Sequence, residues 1–163
     1  MRAAILTIST SVAAGRTEDR SGPALAAQAE SAGVRAVEHV IVPDDAARIV
    51  AELRRLSTEP DAVDLVFTTG GTGLTGDDVT PEATRAVIER EAPGFSEAMR
   101  AEALRRTPTG ILSRGVSGIA GRTLIVNFPG SPRAIDELFG VIAPALAHAV
   151  ATLGRAGGRS AGH

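Results

Sequence analysis

The 163-residue chain has no cysteine, no tryptophan, no tyrosine and no lysine, and only four phenylalanines. Without cysteine there is no disulfide framework, no thiolate metal site and no thiol nucleophile, a composition compatible with the cytosol. Without Trp or Tyr, and with a net charge of −2 at pH 7, the chain has neither the stacking platforms nor the basic excess that nucleic acid requires. Without lysine there is no Walker-type phosphate loop, which needs Gly-Lys-Ser/Thr. All 17 basic residues are therefore arginines, so any phosphate clamp must combine guanidinium with backbone amides.

Other signatures are missing too. His39, His148 and His163 are scattered without metal-ligand spacing. Ser117 is followed by Gly118-Ile119, so the nucleophile elbow of serine hydrolases is absent. No apolar run approaches transmembrane length, and no membrane partner is expected. The N-terminal apolar run is too short for a signal peptide and is broken by Thr7, Ser9, Thr10 and Ser11. What remains is one ordinary domain with a hydrophobic fraction of 44%, large enough to bury a core.

The pattern along the chain alternates strand and helix. A strand near residues 3 to 9 precedes a helix from Gly22 to Ala32, ended by Gly33. A second strand, Ala36 to Val42, stops at Pro43, and Asp44 starts a helix to Ser57. A third, Val63 to Phe67, is followed by a glycine-rich loop, a helix from Pro81 to Glu91, a Pro93-Gly94 break and a shorter helix from Phe95 to Leu104. Ile111 to Ile119 and Thr123 to Phe128 read as β-rich runs joined at Ala120-Gly121-Arg122, a hairpin signal. A last helix spans Pro132 to Leu153, with Pro144 kinking or breaking it. The predicted fold is a single α/β domain over residues 1–153: three layers, α/β/α, with a mostly parallel sheet and a β-hairpin contribution. Residues 154–163 read as a disordered tail.

Ligands in such folds bind beyond the carboxyl ends of the strands, where the unusual residues of this chain lie. The most informative is Thr69-Gly70-Gly71-Thr72-Gly73, followed by Asp77-Asp78-Val79-Thr80-Pro81. Glycines let backbone amides approach a phosphate, and a following helix would add its positive dipole end. Carboxylates there make sense if a divalent cation sits between acid and phosphate, since magnesium is typically held by one or two carboxylates plus substrate oxygens. Gly71 to Gly76 is formally G-x-G-x-x-G, but a dinucleotide fold wants that motif to open a helix directly, and two acids and a second turn intervene. A plainer alternative stays open: a strand-to-helix turn with Thr80 as N-cap, Pro81 at the first helical position and both aspartates merely favouring the dipole. The loop Asn127-Phe128-Pro129-Gly130-Ser131-Pro132 repeats this logic, with Ser131 as N-cap and Arg133 beside the exposed amides, and reads equally as an anion site or a well-capped helix.

These motifs, with Asp19-Arg20-Ser21-Gly22-Pro23, Pro43-Asp44, Arg90-Glu91-Ala92-Pro93-Gly94-Phe95, Thr107-Pro108, Leu112-Ser113-Arg114 and Gly118-Ile119-Ala120-Gly121, occur in an order that resembles the molybdopterin adenylyltransferases of the MogA/MoaB type, related to the gephyrin G domain. The resemblance runs from the first strand to about Leu153. It implies a reaction of molybdenum cofactor biosynthesis, in which Mg-ATP and molybdopterin give adenylyl-molybdopterin and pyrophosphate. By the same resemblance Asp44 and Asp78 are the acids of metal-dependent catalysis, Gly70, Gly71, Thr72 and Gly73 line the nucleotide-phosphate loop, and Ser113, Pro129, Gly130 and Ser131 lie on the pterin side. Arg20, Arg114 and Arg133 are candidate phosphate neutralisers. The resemblance also implies a cytoplasmic homotrimer that hands its product to a molybdenum insertase. One departure stands out, Asp77, where many relatives carry a basic or small polar residue; Gly110, where relatives often have Ala, carries little weight. The Asp77-Asp78 pair is also similar to a domain of CinA-type nucleotide pyrophosphatases. This leaves two alternatives, a nucleotide phosphoanhydride hydrolase and a catalytically silent pterin-binding or scaffold relative.

Overall fold

Six strands form one sheet in the order β2-β1-β3-β6-β5-β4. They are β1 (Arg2–Ile8), β2 (Arg35–Val42), β3 (Leu65–Thr69), β4 (Arg90–Glu91), β5 (Ser117–Ala120) and β6 (Thr123–Phe128). The first three and β6 run parallel; β5 runs antiparallel to β6, and β4 antiparallel to β5, so only β5 points against the rest of the sheet. The structure is a computed structural model and describes residues 1–157.

Alternation along β1 builds both faces. Ala3 and Ile5 enter a core shared with Leu25, Phe67, Phe128 and Phe139, whereas Ala4, Leu6 and Ile8 enter the opposite core with Ile49, Leu53 and Ile125. Helices cover each face: α2 (Ser21–Ser31), α5 (Pro93–Arg106) and α6 (Pro132–Gly157) on the first, α3 (Ala46–Ser57) and α4 (Thr80–Arg85) on the second. Three of the four phenylalanines meet in the first core: Phe67 is edge-on to Phe128 and Phe139 at centroid distances of 5.7 and 5.4 Å, and Phe128 stacks on Phe139 at 5.6 Å. The predicted three-layer fold with its hairpin of β5 and β6 is the observed one.

Several element boundaries differ from the sequence reading. The helix after the glycine loop stops at Arg85, short of the end expected at Glu91, and Arg90–Glu91 forms the edge strand β4 against β5. Pro93 opens α5 rather than breaking the chain before it, because proline is suited to a first helical turn. Within the expected β-run, Pro108–Leu112 is a 3₁₀ turn. A short helix, α1 (Thr10–Ala13), follows β1 directly. α6 continues through Pro144 to Gly157, past the boundary expected at Leu153; residues 158–163 of the expected tail lie outside the described residues. By length and composition alone this helix is able to cross a membrane, with mean hydropathy 1.5 over an 18-residue window within Pro132–Gly154, where the sequence reading saw no run of that length. Its large apolar residues Ile135, Leu138, Phe139, Ile142 and Leu146 are buried in the core, and small residues such as Ala145 and Ala147 on its other side raise the average.

Candidate active site

The carboxyl ends of the parallel strands converge on one rim. β3 delivers Gly70 and Gly71 at φ of +98° and +66°, a region open to glycine at little cost. Both are required by contacts as well: a Cβ at Gly70 would lie 2.3 Å from the Ile8 carbonyl oxygen, and one at Gly71 would lie 2.3 Å from the Thr80 hydroxyl. The Gly70 amide donates to the Phe128 carbonyl (3.2 Å) and the Thr69 hydroxyl to the Pro129 carbonyl (2.8 Å), which ties this loop to the loop after β6. At their closest, an ideal Cβ on Gly130 would sit 3.4 Å from Gly70 Cα. Among the described residues, the amides of Gly71 and Thr72 donate to no protein group, leaving them for an anion.

Thr80 does not cap α4. Val79 occupies the cap position without a side-chain bond, and the Thr80 hydroxyl donates instead to the Gly70 carbonyl at 2.9 Å. Asp78 is likewise no simple dipole partner. Its Oδ2 accepts from the Thr75 amide (2.9 Å) and hydroxyl (2.7 Å), and a Cβ on Gly73 would approach that oxygen to 2.8 Å. Partial burial pushes the Asp78 carboxyl up, but the Thr75 and Gly73 hydrogen bonds and the Arg114 charge outweigh it and hold it below its ordinary value of 3.8. Asp78 is thus held ionised. Asp77 is exposed and lines neither of the two hollows described below.

Asp44 also has a different role from the expected helix start. Asp45 caps α3, accepting from the Arg48 amide at 2.9 Å. Asp44 faces the α1 loop: its Oδ2 accepts from the Thr10 amide (2.8 Å) and hydroxyl (2.9 Å), and its own amide donates to that hydroxyl (3.0 Å). Its Oδ1 lies 3.4 Å from the Cβ position of Gly71. The two acids therefore flank the glycine loop, Asp44 beside Gly71 and Asp78 beside Gly73. Among the described residues no three His, Cys, Asp or Glu side chains gather into a metal cage. Two carboxylates beside a phosphate loop nonetheless suit a magnesium ion that takes its remaining ligands from substrate and water.

Two hollows share this loop. A cavity of about 480 Å³ is lined by Gly70 to Gly73, Asp78, Ser113, Pro129, Gly130 and Ser131, uniting most of the residues singled out in the sequence. A neighbouring hollow of about 370 Å³ takes Asp44 and Arg20, with Gly70, Gly71 and Gly130 common to both. The arginines divide. Arg20 is 80% exposed and sits 3.7 Å from Glu18. Arg133 is 88% exposed and paired to Glu137 at 2.9 Å. Arg114 is committed to structure, donating to the carbonyls of Gly73 (2.7 Å) and Asp78 and to the Glu82 carboxylate, while its amide donates to the Thr72 carbonyl (2.8 Å). It clamps the loop.

Sequence reasoning missed several residues. Arg100 lines the larger cavity, its guanidinium donating to the Gly115 carbonyl at 2.6 Å. Asn127, buried behind the same wall, donates to the hydroxyls of Thr68 and Thr84 (both 3.0 Å) and accepts from the Val116 amide (3.1 Å), so every polar atom of its amide is used. Gly110 has structural weight after all: a Cβ there would lie 2.4 Å from the Ala103 backbone, where the 3₁₀ turn packs on α5.

Residues 4–148 match the family model described as "Probable molybdopterin binding domain". The chain is 42% identical over 139 residues to a molybdopterin adenylyltransferase of Haemophilus influenzae, covering 84% of this chain and 70% of that protein. It is 42% identical over 151 residues to the molybdenum cofactor synthesis protein cinnamon of Drosophila melanogaster, covering 92% of this chain but spanning only 25% of that protein. The crystal structure of the molybdopterin biosynthesis enzyme MoaB from Thermus thermophilus superposes with a TM-score of 0.87 at 41% identity, covering 93% of this chain and 95% of the other. A CinA protein from Thermoplasma acidophilum shares the fold, with a TM-score of 0.67 at 20% identity over 89% of this chain and 97% of that one. The chain belongs to the molybdopterin-binding MogA/MoaB family, whose fold is that of the gephyrin G domain.

Proposed function

We propose that this family member is a molybdopterin adenylyltransferase, joining the AMP moiety of ATP to the terminal phosphate of molybdopterin and releasing pyrophosphate. The observation that carries the reading is the placement of Asp44 and Asp78 on either side of one amide-bearing glycine loop, Asp78 on the wall of a cavity large enough for an organic ring system and Asp44 in the hollow beside it. The name carried by the relative from Haemophilus influenzae supports the same step.

In this reading a phosphate oxygen of the pterin substrate attacks the α-phosphorus of ATP, and the bond from that phosphorus to the β-phosphate bridge breaks. The nucleophile is already anionic, so no strong base is required; the obstacle is bringing two polyanions together. Gly71 and Thr72 offer amides to the nucleotide phosphates, and Gly70 and Gly73 let those phosphates lie against the backbone. Asp44 and Asp78 would hold magnesium, which supplies charge neutralisation when bound. Thr10 and Thr75 fix the rotamers of those acids, and Arg114 holds the loop between them. Ser113, Pro129, Gly130 and Ser131 wall the pterin end, and Arg20 and Arg133 stand at the rim as weaker electrostatic support. We place the enzyme in the cytoplasm as a homotrimer that passes its product to a molybdenum insertase.

The hydrolase alternative rested on the Asp77-Asp78 pair, of which Asp78 lines the larger cavity whereas Asp77 is exposed and lines neither hollow. The test is product chromatography after incubation with ATP, molybdopterin and magnesium, with Asp78→Asn alongside. Adenylyl-molybdopterin that disappears in the variant supports the transferase. Bound pterin with no product in the wild type identifies a silent binding protein.

A further inference from the structure

Among the described residues, only three charged side chains line the larger cavity: Asp78, Arg100 and Glu137. Asp78 is held in the Thr75 turn and Arg100 on the Gly115 carbonyl. Glu137 is different. It sits one turn into α6 with its side chain 23% exposed, and both of its arginine partners meet the same oxygen: Arg133 reaches Oε1 at 2.9 Å and Arg106 reaches it at 3.9 Å. Among the described residues, Oε2 accepts no hydrogen bond from the protein and stays open to the solvent of the cavity.

A structural role explains this poorly. Arg133 is 88% exposed and Arg106 45% exposed, so solvent screens both pairs, and exposed helix pairs of this kind contribute little. Against that small gain stands the cost of withdrawing a carboxylate from water beside an apolar wall, to which the buried Met99 and Leu138 contribute. A half-satisfied carboxylate on a cavity wall is complementary to a ligand that brings hydrogen-bond donors. A pterin brings two in parallel, the ring N3–H and the exocyclic 2-amino group, on one edge of a flat ring that Met99 and Leu138 suit by shape and polarity.

We infer that Glu137 is a specificity-determining residue of the pterin end, its carboxylate accepting from the 2-amino and N3–H donors of the ring. The inference rests on the pterin reading of the cavity. Its consequence is discrimination against rings that carry a carbonyl at position 2, whose oxygen would face the carboxylate without a proton between them.

Equilibrium binding of 6-hydroxymethylpterin and 6-hydroxymethyllumazine to the full chain tests it, since these probes differ by the 2-amino and 2-oxo groups. Wild type is expected to prefer the pterin by ~10-fold to 100-fold, the range set by one hydrogen bond to a charged group. Glu137→Gln is expected to lose most of that preference, and Glu137→Asp, which keeps the charge, to retain part of it, with ATP affinity unchanged in both. A Glu137→Gln protein that binds ATP normally and keeps the full preference overturns the inference. Equal binding of both probes by wild type also overturns it, with no variant needed. Binding of neither probe overturns the pterin reading itself, and Glu137's role with it.

Discussion

Thr10 grips Asp44 from two directions: its amide and hydroxyl both donate to Oδ2, at 2.8 and 2.9 Å, while the same hydroxyl accepts the Asp44 amide at 3.0 Å. The neighbouring acid, Asp45, caps α3, which frees Asp44 to face the glycine loop. The two aspartates should therefore separate experimentally. Asp45→Ala is expected to cost about 1 kcal/mol of stability, the usual value of an N-cap, with activity preserved. Asp44→Asn should keep its melting temperature within a few degrees and lose at least ~100-fold in turnover, because in the proposed mechanism it weakens the hold on magnesium. Thr10→Val should fall between them, losing roughly tenfold in turnover, in line with one hydrogen bond to a charged group. Thermal denaturation and initial rates on the three variants check this.

Arg114 holds the loop by its fork. Its guanidinium bonds the Gly73 and Asp78 carbonyls and the Glu82 carboxylate, one donor direction each. Arg114→Ala is expected to destabilise the fold by roughly 1–3 kcal/mol by leaving those acceptors without partners, and to reduce activity as a consequence. Arg114→Lys should not restore either, because a single ammonium cannot replace a planar fork. Full stability in Arg114→Ala with reduced ATP affinity would return this residue to the role of phosphate neutraliser.

The glycines divide in the same physical terms. Gly71→Ala combines a positive φ with a clash against Thr80, and is expected to cost roughly 2 kcal/mol or more. Gly110→Ala should also destabilise, since its added methyl meets the Ala103 backbone at 2.4 Å. Gly76→Ala, with nothing within 4 Å and no positive φ, should be neutral or slightly stabilising. Denaturant titration of the three proteins distinguishes these outcomes.

The fold was legible because β1, β3 and β6 are apolar runs that stop at Ser9-Thr10-Ser11, Gly70-Gly71 and Pro129-Gly130, which periodicity and turn signals detect well. The site was legible as a set of loops at one rim. Contact-level roles were not. Asp44 and Asp45 are equivalent cap candidates on paper, and only the position of Thr10, 34 residues away, decides between them. Arg114 reads as a free cation until the carbonyls of Gly73 and Asp78 are seen beneath it. Arg90–Glu91 looked helical because nothing local announces that β5 passes alongside. Gly110 carries a packing constraint set by α5, which no local pattern encodes.

Acid titration should expose the Asp78 turn. Because its carboxyl titrates below 3.8 in the folded state, its contribution to stability is fully present above the unfolded value and is lost as pH falls through the folded one. Asp78→Asn should accordingly be less stable than wild type at neutral pH, and the gap should close below about pH 3.8. A gap that stays constant across that range would show that the Thr75 hydrogen bonds do not depend on the charge.

The most direct test of the transferase is the release of pyrophosphate from ATP and magnesium, measured with and without molybdopterin. Release that requires the pterin, and that matches adenylyl-molybdopterin one for one, is the predicted result. Phosphate or pyrophosphate released at the same rate without pterin would contradict it.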